Sequence, residues 1–145
     1  MSEAASDEHA SKSPKIFAWI SVVSERRSAD EISALIGLSP DRAWKIGDRR
    51  GKTDIIERTH GWILNSRLKN VGFDVEAHMD DLLQRVKPAS ERFALLPEQD
   101  SVAVHVAIYS DSRVLMSFEP HIPRMISTLR ARFDVEIYFM PPQGQ

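Results

Sequence analysis

Lys15-Ile16-Phe17-Ala18-Trp19-Ile20-Ser21-Val22-Val23-Ser24 interleaves two sets of side chains, Ile16, Ala18, Ile20 and Val22 against Phe17, Trp19, Ser21 and Val23. Successive residues of a strand point to opposite faces, so two largely apolar sets predict a central strand covered on both sides rather than a half-solvated edge. On its N-terminal side, residues 1–14 carry four Ser and three acidic residues and end in Ser11-Lys12-Ser13-Pro14. Such a stretch buries too little apolar area to offset the entropy of ordering it, and a disordered tail is expected there. Residues 15–142 are then expected to form a single domain.

Downstream, Ser28-Ala29-Asp30-Glu31 has capping-box spacing, which predicts a helix carrying Ile32, Leu35 and Ile36 on one face. Gly37 suits its left-handed exit, and Pro40 blocks continuation. Strands are expected around Ala43–Ile46 and Gly61–Asn65, joined by a long polar loop with turn signals at Gly47-Asp48 and Arg50-Gly51. Asp74 then caps an amphipathic helix whose inner face holds Val75, Met79, Leu82, Leu83 and Val86. Ser90–Leu96 reads as a further helical turn or two. Ser101–Tyr109 alternates as a strand, with Ala103, His105, Ala107 and Tyr109 opposite Val102, Val104, Val106 and Ile108. Arg113–Phe118 suits a short strand or extended chain. Pro120 and Pro123 open a last helix, and Val135–Met140 closes the fold as a strand.

The element order predicts an α+β fold: a ferredoxin-like βαββαβ core with an added C-terminal αβ unit, its sheet mixed or antiparallel and its helices largely on one face. A chain of 145 residues can bury a core of its own. With 19 basic and 21 acidic residues its formal charge is -2, so no global field draws it to nucleic acid or anionic lipid. The absence of cysteine removes thiolate catalysis and cysteine-ligated metal. No apolar segment resembles a secretory signal or a membrane span, and a cytoplasmic location is expected.

Asp41-Arg42-Ala43-Trp44-Lys45-Ile46-Gly47-Asp48, placed after a short helix ending in Gly37-Leu38, and then Gly61-Trp62-Ile63-Leu64, resemble the bacterial family catalogued as domain of unknown function 4279. His78 with Leu82-Leu83, and the closing Asp134-Val135-Glu136-Ile137-Tyr138-Phe139, extend the resemblance over roughly residues 15–140. The resemblance implies a small bacterial α+β domain. It brings no catalytic residue with it.

The most distinctive cluster is Trp44, Lys45, Asp48, Arg49, Arg50, His60 and Trp62, the candidate ligand or partner surface. Two indoles on adjacent strands would wall an aromatic pocket, with the cations holding an anion. The same residues also suit a packed core and a turn, and the basic residues of 42–58 suit a solvated loop. The five histidines show no i, i+4 pair, and neither metal nor cofactor is expected. His78 is placed to pair with Asp81 at the helix surface, and Glu76, Asp80 and Asp81 read as a solvated face. His105 would become a general base only with a carboxylate such as Glu119 or Glu136 across the sheet. Nucleophile-elbow and phosphate-loop patterns are missing.

The leading expectation is therefore a non-enzymatic binding or protein-interaction module, of immunity or regulatory type. It would dock a protein partner through a sheet edge or the Asp48–His60 loop. The alternative is a small-molecule-binding protein or enzyme using the Trp44/Trp62 region, and a weaker third is single-stranded nucleic-acid binding.

Overall fold

A computed structural model describes residues 15–69 and 74–140. The tail expected over residues 1–14 lies outside the described residues. Strand β1 (Lys15–Ser24) leads to helix α1 (Ala29–Ile36), then β2 (Arg42–Trp44) and β3 (His60–Asn65). Helix α2 (Val75–Val86) runs into a 3-10 helix over Lys87–Leu95, and β4 (Ser101–Ser110), α3 (His121–Thr128) and β5 (Arg132–Phe139) complete the chain. The fold is mixed α+β. Its five strands form one mixed sheet in the order β2-β3-β1-β4-β5.

β1 lies at the centre, antiparallel to both β3 and β4, while β2 is antiparallel to β3. β5 runs parallel to β4, as α3 between them permits, since parallel neighbours need a crossover connection. Local chemistry starts and stops the helices as expected. Ser28 and Glu31 form a reciprocal capping box on α1, Gly37 closes it at φ 83°, and the Asp74 carboxylate accepts from the Ala77 amide at 3.0 Å on α2. Arg130, at φ 55°, makes the turn from α3 into β5.

The core lies on one side of the sheet. Ile16, Ala18, Ile20 and Val22 of β1 share it with Trp62, Leu64, Val104, Val106 and Ile108, and against them pack Ile32 and Ile36 of α1, Met79, Leu82 and Val86 of α2, and Ile122 and Ile126 of α3. Hence the second face of β1, expected to be covered, is not: Phe17 is 47% exposed and no helix crosses it. Its apolar residues reflect packing among side chains on an open face, which alternation alone does not distinguish from burial under a second layer. Smaller corrections concern boundaries. β2 occupies Arg42–Trp44 rather than Ala43–Ile46. Of the two readings of Arg113–Phe118 the strand does not form, and the segment lays Val114, Met116 and Phe118 against the core.

Candidate functional site

The register of the short β2–β3 pair decides what the two tryptophans do. Ala43 lies opposite Trp62, and Trp44 opposite Gly61, so the indoles point to opposite faces of the sheet. Trp62 is wholly buried on the helix side, where its indole N–H donates to Ser33 Oγ of α1 at 3.0 Å. Trp44 lies flat over Gly61 on the other face, and a Cβ at Gly61 would overlap its ring carbons. The aromatic pocket expected between Trp44 and Trp62 is therefore not formed. Trp44 Nε1 is buried without a hydrogen-bond partner among the described residues.

The rest of that cluster builds an arm. Asp48 accepts from the Lys45 amide at 2.9 Å, Arg49 bridges to Ile56, and the Arg50 guanidinium binds Glu57 at 2.8 Å. Hydrogen bonding to Arg50 holds the Glu57 carboxyl below its ordinary pKa. His60 Nδ1 accepts from the Ile46 amide at 3.4 Å. Asp48, Arg50 and His60 thus hold the arm's own shape, while the Lys45 and Arg49 side chains are exposed.

The uncovered face is richer in chemistry. Trp19 of β1 stacks on His105 of β4 with centroids 4.9 Å apart and planes within 10°. Tyr109 of β4 stacks on Tyr138 of β5 at 4.7 Å and 12°, and Phe17 meets Tyr109 edge to face at 6.0 Å. Parallel rings this close cannot lie side by side in the sheet plane, and the separations match the spacing of neighbouring strands. The rings therefore stand up from the sheet with their flat faces against one another. They offer edges to solvent.

One polar line crosses this face through three strands. Ser21 Oγ lies 2.9 Å from His105 Nε2, and His105 Nδ1 lies 3.7 Å from Asp134. Asp134 is in turn held by Arg132, whose Nε donates to both carboxylate oxygens at 3.0 Å. Burial pushes the His105 pKa down, against the pull of Asp134, so the imidazole is neutral near pH 7. The carboxylate across the sheet is thus Asp134, not Glu119 or Glu136. Glu119 donates its amide to Glu76, and Glu136 accepts from the Tyr138 hydroxyl.

This Ser-His-Asp order differs from a hydrolytic centre in two physical respects. Ser21 is 7% exposed and lies in a central strand, paired on both sides with Ile63 and Ala103, so its backbone groups serve the ladders rather than an oxyanion. Asp134 faces Arg132 more closely than His105, which weakens its pull on the imidazole. The line fastens β1, β4 and β5 and orients the ring that stacks on Trp19.

Charged residues rim the face at both edges. Arg42 of β2 lines a depression with Phe17, Trp19, Asn65 and Tyr109 of the open face and with Ile16, Ala18 and His78 of the covered one, and its charge helps to lower the pKa of Glu57. Arg132, Asp134 and Glu136 lie on β5 at the opposite border. Between these borders the surface is mainly aromatic and apolar.

Several sequence readings of the helices also change. His78 does not pair with Asp81 at the surface. It is 2% exposed on the inner face of α2, and burial lowers its pKa. Asp81 instead accepts from Ser66 Oγ at 2.8 Å and from the Arg67 and Leu68 amides, tying the exit of β3 to α2. Asp80 lies 2.6 Å from His121, and Glu76 accepts from the Glu119 amide, so the acidic face of α2 docks the start of α3.

Neither the metal-ligand arrangement nor the long apolar helix of a membrane span occurs among the described residues. A family model described as domain of unknown function (DUF4279) matches residues 14–140. No curated protein and no solved structure matches the chain.

Proposed function

The chain belongs to the DUF4279 family, and from that premise we propose that it is a non-enzymatic protein-interaction module whose working surface is the uncovered face of its sheet. The observation that carries this reading is the aromatic ladder of Phe17, Trp19, His105, Tyr109 and Tyr138 on a face without helices. A solvated sheet face ordinarily carries polar residues, and a contiguous exposed apolar surface rimmed by charge is the usual mark of a docking site. Exposed edges of mutually stacked rings suit the flat surface of another protein. A single-stranded nucleic acid needs free ring faces for its bases, and in each stacked pair one face of each ring is taken by its partner.

The sheet geometry supports the finer structural reading too. β2, β3, β1 and β4 are antiparallel neighbours in that order, with α1 and α2 as the two connections, an order in keeping with the ferredoxin-like βαββαβ core we propose, to which α3 and β5 would be the added unit. One core cluster drawing on strands and helices throughout supports treating residues 15–142 as a single domain. A bacterial, cytoplasmic module of immunity or regulatory type remains the role we propose for it, free of cofactors.

The test is affinity capture from the cells that make the protein, using the unaltered chain, the face variants Phe17→Asp and Tyr138→Asp, and the arm variant Ile55→Asp. All three positions are exposed, so folding should survive. A protein retained by the unaltered chain and the arm variant, and lost from both face variants, is the expected result. Retention that depends on Ile55 alone would move the working surface to the arm.

A further inference from the structure

We infer that the notch where β3 turns away from β1 is a binding site for a small, flat aromatic acid, held by Arg42 at its mouth and by His78 at its floor. The register of β3 with β1 runs to Asn65, opposite Trp19, and the Ser66 amide donates to the Ala18 carbonyl at 2.8 Å. Ser66, Arg67 and Leu68 then turn toward α2, where the Asp81 carboxylate accepts from all three. At this divergence lies a cavity of about 530 Å³ whose lining comes from both sides of the sheet, Trp19 and Tyr109 from the open one, Ile16 and His78 from the covered one. That volume is within the range of small-molecule sites, about 300–1,000 Å³.

His78 is the observation that points to a ligand. It is 2% exposed, and its ring forms no hydrogen bond among the described residues, although buried polar groups are ordinarily partnered. Trp44 Nε1 is the only partnerless side-chain nitrogen or oxygen sealed from solvent among those residues, so the His78 ring nitrogens keep an opening, and the cavity is what they border. Burial lowers the His78 pKa and holds the ring neutral near pH 7, with one nitrogen to donate and one to accept. Trp19 supplies the stacking wall. His105 of β4 covers one face of its ring, and β1 lies between β4 and β3, so the free face looks toward β3 and the notch. Arg42 supplies the charge: Glu57 is bound by Arg50, and the three together retain one positive charge for an anion. A single guanidinium beside aromatic and aliphatic walls suits one carboxylate on a flat ring, and a polar group at the far end of that ring meets His78. The site stands apart from the docking reading, although the two share Phe17, Trp19 and Tyr109.

Calorimetric titration of the full chain with a hydroxynaphthoate, its hydroxyl and carboxylate at opposite ends, tests the site, with naphthoate and naphthol as the two half-probes. Saturable binding of the hydroxynaphthoate is expected. His78→Leu should weaken it about fivefold, the worth of one hydrogen bond, and leave naphthoate unchanged. Arg42→Gln should weaken both acids about tenfold, the worth of a charge-assisted bond, and leave naphthol unchanged. Arg42 is exposed, so this variant keeps the test intact should His78→Leu fail to fold, and the ring nitrogen resonances of His78 in the unaltered chain should shift on adding the probe. Absence of saturable binding overturns the inference, and so does binding indifferent to Arg42→Gln that leaves the His78 resonances in place. A chain that binds no probe, yet loses a captured protein on Phe17→Asp, sinks this inference alone; probe binding with both selective losses, and no protein captured, sinks the docking reading alone.

Discussion

Replacing Trp62 by Phe isolates the structural role of the indole that the sequence offered as a pocket wall. In the structure this ring is fully buried and its N–H donates to Ser33 Oγ at 3.0 Å. Trimming indole to phenyl leaves an incompletely filled site costing about 1–2 kcal/mol, since complete removal of such a ring costs about 3–5 kcal/mol. The lost hydrogen bond adds about 0.5–1.5 kcal/mol. Together these give about 2–3 kcal/mol, or roughly 10 °C in Tm for a domain of this size. Ser33→Ala alone should cost about 1 kcal/mol, and the two changes together should fall short of their sum by about 1 kcal/mol, because the shared bond can be lost only once. Thermal and urea unfolding of the four proteins measures the cycle, and emission spectra should show that Trp62→Phe removes a blue-shifted component. Additive effects, a Tm change below about 2 °C, or loss of a red-shifted component would refute the packing of Trp62 against α1.

Gly61→Ala should destabilise by about 1–3 kcal/mol, because its Cβ displaces the Trp44 ring from the sheet; in a Trp44→Ala background the same change should cost far less by urea unfolding. Arg130→Gly should stabilise by about 0.5–1 kcal/mol, since the left-handed backbone there strains any residue with a Cβ, though glycine loses part of the gain through its freer unfolded chain. Burial lowers the folded-state pKa of both His78 and His105, so the unfolded chain binds protons more readily. Their contribution is complete above the unfolded histidine value of about 6.5 and is lost as pH falls toward the lower folded values; urea midpoints should drop from pH 7 to 5, and His78→Leu should flatten that slope.

Sequence periodicity sufficed wherever one short-range rule governed an element. The Ser28/Glu31 box, the apolar stripe of α2 and the alternation of β4 each depend on neighbours within a turn or a strand, and each stands in the structure. Register is a property of two segments, and there the reading of Trp44 and Trp62 went astray. A pocket needs both rings on one face, whereas pairing Trp44 with Gly61 turns them apart. The signal was present in part: a lone glycine beside Trp62 in a strand marks close approach by another group, here the Trp44 ring. The open face was harder to see because Phe17 and Trp19 look the same in sequence whether they lie beneath a second layer or stand against His105 and Tyr109. His105 and Asp134 are brought together by the parallel β4–β5 register, which no local pattern announces.

The central claim is that the face bearing Phe17, Trp19, Tyr109 and Tyr138 is covered by protein when the molecule is at work. Hydroxyl-radical footprinting read by mass spectrometry, on the purified chain and on the chain in extract of the cells that make it, addresses it directly, with the exposed Leu115, at 74%, as an internal reference. Strong modification of Trp19, Tyr109 and Tyr138 in the purified chain, lost in the extract while Leu115 stays reactive, is the predicted result. Equal modification of these rings in both would contradict coverage of the face by protein.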